Sequence, residues 1–414
     1  MDRLIFHIDV NSAYLSWSAV KLLSEGKEDI RLIPSAVGGD KEKRTGIILA
    51  KSIPAKKFGV TTGEPVTAAL RKCPKLVLVQ PDFSLYEKNS KAFMDICREY
   101  TPIVEKFSID ECFLDMTGTQ TLYPNPVQIA NMIKDRIHSQ LGFTVNVGIG
   151  PNKLLAKMAS DFEKPDKVHT LFFFEMKTKM WPLPVGELFS VGHKTAEKLQ
   201  KEYIHTIGEL AHTDLERVQY IFGKKAGKQI WEYANGIDDS PVLSEPEKAK
   251  GYSISTTLEQ DITSIEEANK VLLSLSESVT RRMRADQAKA SCVSVTIRGN
   301  DFKDHSHQKK LFTATDITSE VYSLSKDLLL ELWKKRIPLR LIGISLTGIV
   351  YGEEKQLSLF SDKQKEKARK LDRALDGIRN KFGSKMVVRG SIMDEKIEVG
   401  KKYQAQLENH KKNK

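Results

Sequence analysis

The sequence predicts an α+β protein built from several domains. Three observations carry this reading. The chain has 414 residues, enough for two to four domains, and 40% of them are hydrophobic, enough for a sizeable core. Residues 1–12 and 82–162 read strand, helix, hairpin, helix, strand, helix, an order that suggests an antiparallel-rich sheet with helices on one face. After them come a small all-helical stretch and a region that alternates strand and helix.

In chain order, Leu4 to Ile8 is an apolar run ending at Asp9. It reads as a buried strand that delivers a carboxylate at its C-terminal end. Asn11 to Tyr14 turn into a helix that runs to Leu23. Gly38-Gly39-Asp40 is a turn, followed by the charged Lys41 to Arg44, and Ile47 to Ala50 is a strand. Pro54 opens a helix to Phe58, where a first turn tolerates proline. Pro81 closes this segment. Tyr86 to Tyr100 is helical, with Phe93, Ile96, Cys97 and Tyr100 on one face. The runs Ile103–Ile109 and Cys112–Met116 form a hairpin. The helix Pro126–Leu141 places Ile129, Ile133 and Ile137 at four-residue spacing. Thr144 to Ile149 alternates as a strand, and Pro151 starts a helix through Phe162.

Residues 172–240 read as short helices. Asp238 to Lys250 is rich in Pro, Ser and charge and reads as a tether. Residues 251–350 give strands at Tyr252–Leu258, Ser291–Gly299, Lys309–Phe312 and Leu339–Leu346, with helices at Ser264–Arg284 and Thr318–Arg336. A last helix has Leu371, Leu375, Ile378 and Phe382 on one face and stops at Gly383. Met386 to Val388 then reads as a strand, and residues from about 395 onward as a mobile basic end.

The hairpin carries the first chemical signal, the adjacent Asp110 and Glu111 at its tip. Neighbouring acids are costly to keep ionised unless a cation lies between them. The pair therefore points to a divalent-metal platform, and Mg²⁺ suits it because that ion takes a few carboxylates and leaves room for phosphate oxygens. Taken alone, such a pair is more often a solvated turn.

The net charge of +11 and pI near 9.2 favour a polyanionic partner, nucleic acid first. The charge is uneven: residues 361–414 carry 16 Lys/Arg against 8 Asp/Glu, residues 251–350 only 14 against 12. The four cysteines, Cys73, Cys97, Cys112 and Cys292, form no CxxC, so neither a zinc site nor a disulfide framework is indicated, and a reducing cytoplasmic setting fits. No apolar run is long enough to span a bilayer, and the apolar N-terminus, interrupted by Asp9 and Asn11, is not a signal peptide.

Three motifs now come together. Ile8-Asp9-Val10-Asn11, Ser108-Ile109-Asp110-Glu111 with Leu114-Asp115, and Asn152 to Asp161 running on to Lys164-Pro165 resemble, in order and spacing, the palm of Y-family (translesion) DNA polymerases. The resemblance covers roughly residues 1–350. It implies a right-hand polymerase: a ferredoxin-like palm at 1–12 and 82–171, small fingers at 13–81, a helical thumb with a helix-hairpin-helix at 172–240, a linker at 241–250 and an α/β little finger at 251–350. A clamp-binding motif and a basic helix-strand tail would follow at 351–414. The palm is similar to DNA polymerase IV. The Ala55-Lys56 fingers segment and the tail are closer to the catalytic subunit of DNA polymerase V.

The resemblance assigns roles residue by residue. Asp9, Asp110 and Glu111, with the Val10 carbonyl, would hold two Mg²⁺ ions. Tyr14 stands at the steric-gate position, which excludes a 2′-hydroxyl; without the motif it would read as a core aromatic. Lys164 matches the lysine that reaches the triphosphate, and Lys56 falls where polymerase IV enzymes carry an arginine. Ile53 and Ala50 replace a tyrosine and a threonine and cannot hydrogen-bond phosphate, so Lys51 and Ser52 are nearby substitutes. Val191, Gly192, His193, Lys194 and Thr195 resemble the hairpin turn that presents backbone N–H groups to DNA phosphates, with His193 in place of the usual second glycine. Arg281, Arg282, Arg284 and Arg298 would track the DNA backbone; a solvated helix face is the plainer reading of some of them. Gln356-Leu357-Ser358-Leu359-Phe360 looks like the bacterial sliding-clamp-binding pentapeptide.

The implied activity is low-fidelity, template-directed DNA synthesis past damaged bases. Its partners would be primer–template DNA, dNTPs, a sliding clamp and accessory subunits of the polymerase V kind, with no membrane, and the chain would act as a monomer. Two other readings compete: a non-catalytic relative that keeps only the DNA and clamp contacts, and a nucleotide cyclase, since some cyclases share the palm topology and paired acids.

Overall fold

A computed structural model describes residues 3–40, 46–334, 337–352, 363–383, 386–387 and 389–390. They fall into two compact units, one from residues 3–38 and 48–246, the other from 39–40, 46–47 and 247 onward.

The first unit opens with β1 (Ile5–Val10) and α1 (Ala13–Ser24), then β2 (Ser35–Gly38), β3 (Ile48–Lys51), α2 (Ile53–Lys57), α3 (Val66–Lys72) and β4 (Val77–Val79). It continues with α4 (Phe83–Arg98), β5 (Val104–Lys106), β6 (Glu111–Asp115), α5 (Pro126–Leu141), β7 (Val145–Gly150), α6 (Lys153–Asp161) and β8 (Val168–Thr170). Short helices end it: α7 (Met176–Lys179), α8 (His193–Lys201), α9 (Ile207–His212), α10 (Leu215–Phe222) and α11 (Lys224–Ala234).

The main sheet has the order β5-β6-β1-β7-β8, antiparallel except for the β7–β8 pair. Period-two alternation sorts its faces. Phe6, Ile8 and Val10 of β1 and Val145, Val147 and Ile149 of β7 pack with Phe93 of α4 and Ile129, Ile133 and Ile137 of α5 in one core. Each such side chain, fully buried, contributes about 1.5–3 kcal/mol. The opposite face carries His7, Asp9, Asn146, Gly148 and Gly150 and is covered by α6. Helices therefore lie on both faces, not one. The reason is visible in β7: a Cβ on Gly148 would lie 2.0 Å from the Ala156 carbonyl oxygen, and one on Gly150 would lie 2.7 Å from the Ala156 nitrogen. The bare backbone of β7 lets α6 lie directly against the strand.

The smaller sheet, β3-β2-β4, packs Ala36 and Ile48 with Ala55, Val66 and Ala69 of α2 and α3. Strands β2 and β4 are too short to show periodicity and were not expected. Ser52 caps α2, and its hydroxyl also bonds Ser35 N and the Ile33 carbonyl. It is thus committed to the fold and is no substitute phosphate ligand. The helical segment shares its core with α6, whose Leu154, Leu155 and Met158 pack with Leu188, Leu199, Ile207 and Ile230. The stretch expected as a tether is strapped down at its start: Val242 is buried with Ile5, Phe113 and Ala156, and Leu243 N donates to Glu105.

The second unit contains β9 (Tyr252–Ile262), α12 (Ile265–Ala285), β10 (Ala288–Gly299), β11 (Asp304–Thr315), α13 (Thr318–Leu332), β12 (Leu339–Tyr351) and α14 (Lys363–Phe382). Its antiparallel sheet, in the order β11-β10-β12-β9, packs one face on α12 and α13 through Val293, Val295, Ile344, Leu272, Val279 and Leu328. Strand β11 is far longer than Lys309–Phe312. Nearly all of it is exposed, so no buried alternation marked its ends. The clamp-like Gln356–Phe360 lies outside the described residues, as do Val388 and the basic end. Met386 and Val387 form a bend, not the expected strand.

Candidate active site

The register of β1 and β6 sets Asp9 directly opposite Glu111. Same-face neighbours across antiparallel strands are close enough to interact. Glu111 is the first residue of β6, and Asp110 occupies the turn before it. Val10 N donates to the Asp110 carbonyl at 3.0 Å, which closes the turn onto the end of β1. The Asp110 carboxylate accepts from Ser108 Oγ at 2.7 Å. Between β1 and α1, Ser12 takes the left-handed conformation (φ 49°, ψ 47°), which costs a non-glycine residue about 1–2 kcal/mol. That sharp turn starts α1 directly beyond the carboxylates.

Helix α6 and the loop after it bring cations to the acidic pair. Lys157 Nζ lies 3.2 Å from Glu111 Oε2, 3.7 Å from Asp9 Oδ2 and 3.4 Å from Asp161 Oδ2. Lys164 Nζ lies 2.9 Å from Asp9 Oδ2 and 2.9 Å from Asp161 Oδ1. The fully buried His7 places Nε2 3.3 Å from Glu111 Oε2 and Nδ1 2.8 Å from Ser160 Oγ. Asn11 and Asn146 tie this end of the sheet to the loop that bears Lys164: Asn11 donates to Asn146 Oδ1 and accepts from Asp166 N, and Asn146 donates to the Ser160 and Glu163 carbonyls.

The charges respond to this setting. Burial raises the Glu111 carboxyl, but the His7 hydrogen bond and the Lys157 charge outweigh it and hold Glu111 at about 2. For Asp9 burial wins over both lysines, and its carboxyl is raised above the ordinary value. Burial lowers His7 in spite of Glu111. Burial alone would lower Lys164 too, but Asp9 and Asp161 outweigh it and raise the ammonium. Burial, followed by the Asp110 charge, raises the Tyr14 hydroxyl.

Among the described residues no three His, Cys, Asp or Glu side chains converge to hold one metal ion. Asp9 and Glu111 face each other at one end of the sheet with Asp110 in the adjoining turn, but lysine ammonium groups close on Asp9 and Glu111. The donor set nevertheless fits a divalent ion of the Mg²⁺ kind. Its oxygens are hard carboxylate donors, and the facing pair already shares one cation, Lys157. His7, Lys157, Ser160 and Asn146 were missed by sequence reasoning. One signal was available for Lys157: it falls three residues after Leu154 on the apolar side of α6, where an exposed lysine is not expected.

Tyr14 is half-buried on α1 against an aromatic cluster, with ring centroids 4.7 Å from Tyr86 and 6.0 Å from Trp17. Lys56 and Ile53 are exposed on α2, and Ala50 is buried. Lys51 donates to Thr62 Oγ1 at 3.1 Å.

Residues 8–161 match the impB/mucB/samB family, residues 249–359 its C-terminal domain, and residues 186–238 the thumb domain described for DNA polymerase-iota. A Clostridium acetobutylicum protein named DNA polymerase IV is 45% identical over 395 residues, covering 95% of this chain and 99% of that protein. The chain belongs to the Y-family of DNA polymerases. DNA polymerase IV 2 of Bacillus subtilis is 38% identical, covering 95% of each chain. A solved Y-family DNA polymerase chimera, 23% identical, covers 84% of this chain and 100% of its own with a TM-score of 0.73, and so shares the fold.

For a Y-family chain, the expected DNA contacts divide into two groups. At the start of α8, Gly192, His193 and Lys194 are exposed, and the helix has no side-chain cap. Its first N–H groups have no intrahelical partner, so they can meet a phosphate. Val191 does not belong with them, because it is buried in the helical core. In the second unit, Arg281 and Arg284 are turned inward against α14, where Arg281 bonds Asn380 and Arg284 bonds Asp376 and Asp372. The Asn380 amide oxygen and the Asp372 and Asp376 carboxylates of α14 hold these guanidiniums away from a DNA backbone. Arg282 donates to the Ser253 carbonyl, and the half-buried Arg298 pairs with Asp304. The exposed Lys309 and Lys310 on β11 are basic residues that went unassigned.

Proposed function

We propose that this chain is a translesion DNA polymerase that extends primers past damaged template bases by metal-assisted nucleotidyl transfer. The observation that carries the reading is the register that sets Asp9 opposite Glu111, with Asp110 in the adjoining turn, in a chain of this family. Asp9, Asp110 and Glu111, with the Val10 carbonyl, would hold two Mg²⁺ ions. When bound, such ions neutralise charge on the attacking 3′-hydroxyl and the leaving pyrophosphate. The chain's own residues do the rest. Lys164, poised beside Asp9, turns its ammonium to the triphosphate, and Lys56 approaches from α2. Exposed backbone at Gly192–Lys194, with Thr195 behind it, and basic side chains including Arg282, Arg298, Lys309 and Lys310 grip phosphates without reading sequence.

The Tyr14 ring packs under the incoming sugar. Tyr14→Ala is expected to raise ribonucleotide incorporation at least tenfold over wild type in single-nucleotide insertion assays. Unchanged sugar discrimination would remove the gate assignment.

Gln356–Phe360 supplies the contact to a sliding clamp in a cytoplasmic setting. Phe360→Ala is expected to weaken clamp binding at least tenfold in a pull-down or surface-binding titration, while distributive synthesis persists. Accessory subunits of the polymerase V kind would show as synthesis that needs them even with the clamp present.

The test of the whole reading is primer extension on undamaged and abasic templates with Mg²⁺ and four dNTPs, with Asp110→Asn as control. Short products that cross the lesion, absent in the variant, support it. Tight primer–template binding with no extension, clamp present or absent, would favour a non-catalytic relative.

A further inference from the structure

Helix α14 sits on the second unit the wrong way round for an amphipathic helix. Its charged side faces inward: Asp372 and Arg379 are 5% and 8% exposed, while Leu371, Ile378 and Phe382 are 54%, 40% and 58% exposed. A dense ionic network fixes this orientation. Arg284 Nε bonds Asp376 at 2.7 Å, Asp372 accepts from Thr318 N at 2.7 Å, Arg379 meets both Glu277 oxygens at 3.2 Å, and Arg369 bonds Asp316 at 2.7 Å. Burying so many charges is worthwhile only when each is paired and hydrogen-bonded, and such networks specify one arrangement. Here the arrangement they specify leaves the apolar side chains outside.

The outward side chains are regularly placed. Leu371, the half-buried Leu375, Ile378 and Phe382 are spaced four, three and four residues apart, which are successive d and a positions of two heptads. The residues on one edge of this seam, Lys365, Asp372 and Arg379, face the body of the unit. The other edge is formed by Lys367, Ala374 and Lys381, all exposed. Ala374 leaves room for a close approach, and Lys381 lies over the Phe382 ring at 5.2 Å.

We propose that this seam docks one helix of another protein, an amphipathic helix whose apolar stripe is bordered by Asp or Glu facing Lys367 and Lys381. The heptad spacing fits a helix rather than an extended strand. The basic edge calls for carboxylates, and the pinned orientation presents the seam already ordered, which lowers the entropic cost of binding. A second copy of this chain fits poorly. Antiparallel self-pairing would set Lys367 and Lys381 of the two copies against each other, and parallel pairing needs the edge that the unit covers. A lipid surface would require an apolar face open on both edges. The inference does not depend on the polymerase reading.

The test uses the full chain and two labelled 21-residue synthetic peptides with the same Leu/Ile heptad core, flanked at e and g by Glu in one and by Lys in the other. Fluorescence anisotropy at 0.15 M salt is expected to show the Glu peptide binding at least tenfold tighter. Lys367→Glu with Lys381→Glu should invert that order. Ile378→Ser should weaken Glu-peptide binding at least tenfold, with an unchanged thermal midpoint and unchanged primer extension. Equal binding of the two peptides, or binding indifferent to Ile378→Ser, would overturn the proposal. So would a dimer in light scattering that Ile378→Ser dissolves, or Ile378-dependent binding to vesicles containing phosphatidylserine with no peptide binding.

Discussion

Glu111→Gln is expected to lower primer extension by at least about a thousandfold, the scale on which charge-stabilising groups act in phosphoryl transfer. The substitution keeps the shape of the side chain and removes its charge. It should not unfold the protein, because Glu111 opens β6 at the rim of the sheet and Phe113 and Leu114 behind it keep their packing. A second readout concerns pH. Glu111 is held at about 2 in the folded chain, below its ordinary 4.5. A depressed carboxyl adds stability that is complete above the unfolded value and is lost as pH falls through the folded one. The window is therefore roughly pH 4.5 down to 2. Asp9, raised by burial, works in the opposite direction and blunts the effect. Chemical denaturation of wild type across that window should show a loss that Glu111→Gln lacks. Near-normal extension by the variant would end the metal assignment, and identical pH profiles would end the account of the charge cluster.

Lys157→Ala is expected to have the largest effect on stability. Its ammonium stands between two carboxylates that face each other across the sheet, and removing one partner of a buried ion cluster costs about 3–5 kcal/mol. Partial exposure of Glu111 and Asp161 brings the expectation below that range, to about 2–3 kcal/mol. A divalent cation should return much of the loss, because it can neutralise the same pair. The thermal midpoint of Lys157→Ala should therefore rise by several degrees more on adding Mg²⁺ than that of wild type. Equal shifts in the two proteins would mean that Lys157 is a bystander. This measurement needs no catalysis, so it separates the charge balance of the site from its chemistry.

Much of this site was legible because its residues are near one another in sequence or end a recognisable element. Asp9 ends an apolar run, Asp110 and Glu111 are adjacent, and Lys164 follows the helix that the Asn152 cap begins. The residues that escaped notice are brought in by packing. His7 lies inside an apolar strand and looks like a core residue, until β7 proves to have glycines on that face and α6 can place Ser160 beside it. Two of the three arginines of α12 were misread for a similar reason. Arg281, Arg282 and Arg284 form a basic cluster in sequence, but the helix rotates them to different neighbours, and α14, through partners 92 and 99 residues further on, takes two of the three. Strand β11 shows the converse case. Without a buried face it has no alternation to read, and its pairing with β10 alone defines its length.

The sequence by itself determined most of the element types, the α+β class and the family, and it singled out Asp9, Asp110 and Glu111, because local propensity, hydrophobic period and short motifs act over a few residues. Only the tertiary structure decided how those charges are balanced, which arginines remain outside, and which side of α14 meets solvent. These depend on long-range ion pairing and on backbone approach at Gly148 and Gly150, and desolvation weighs each charge according to neighbours that no local pattern reveals.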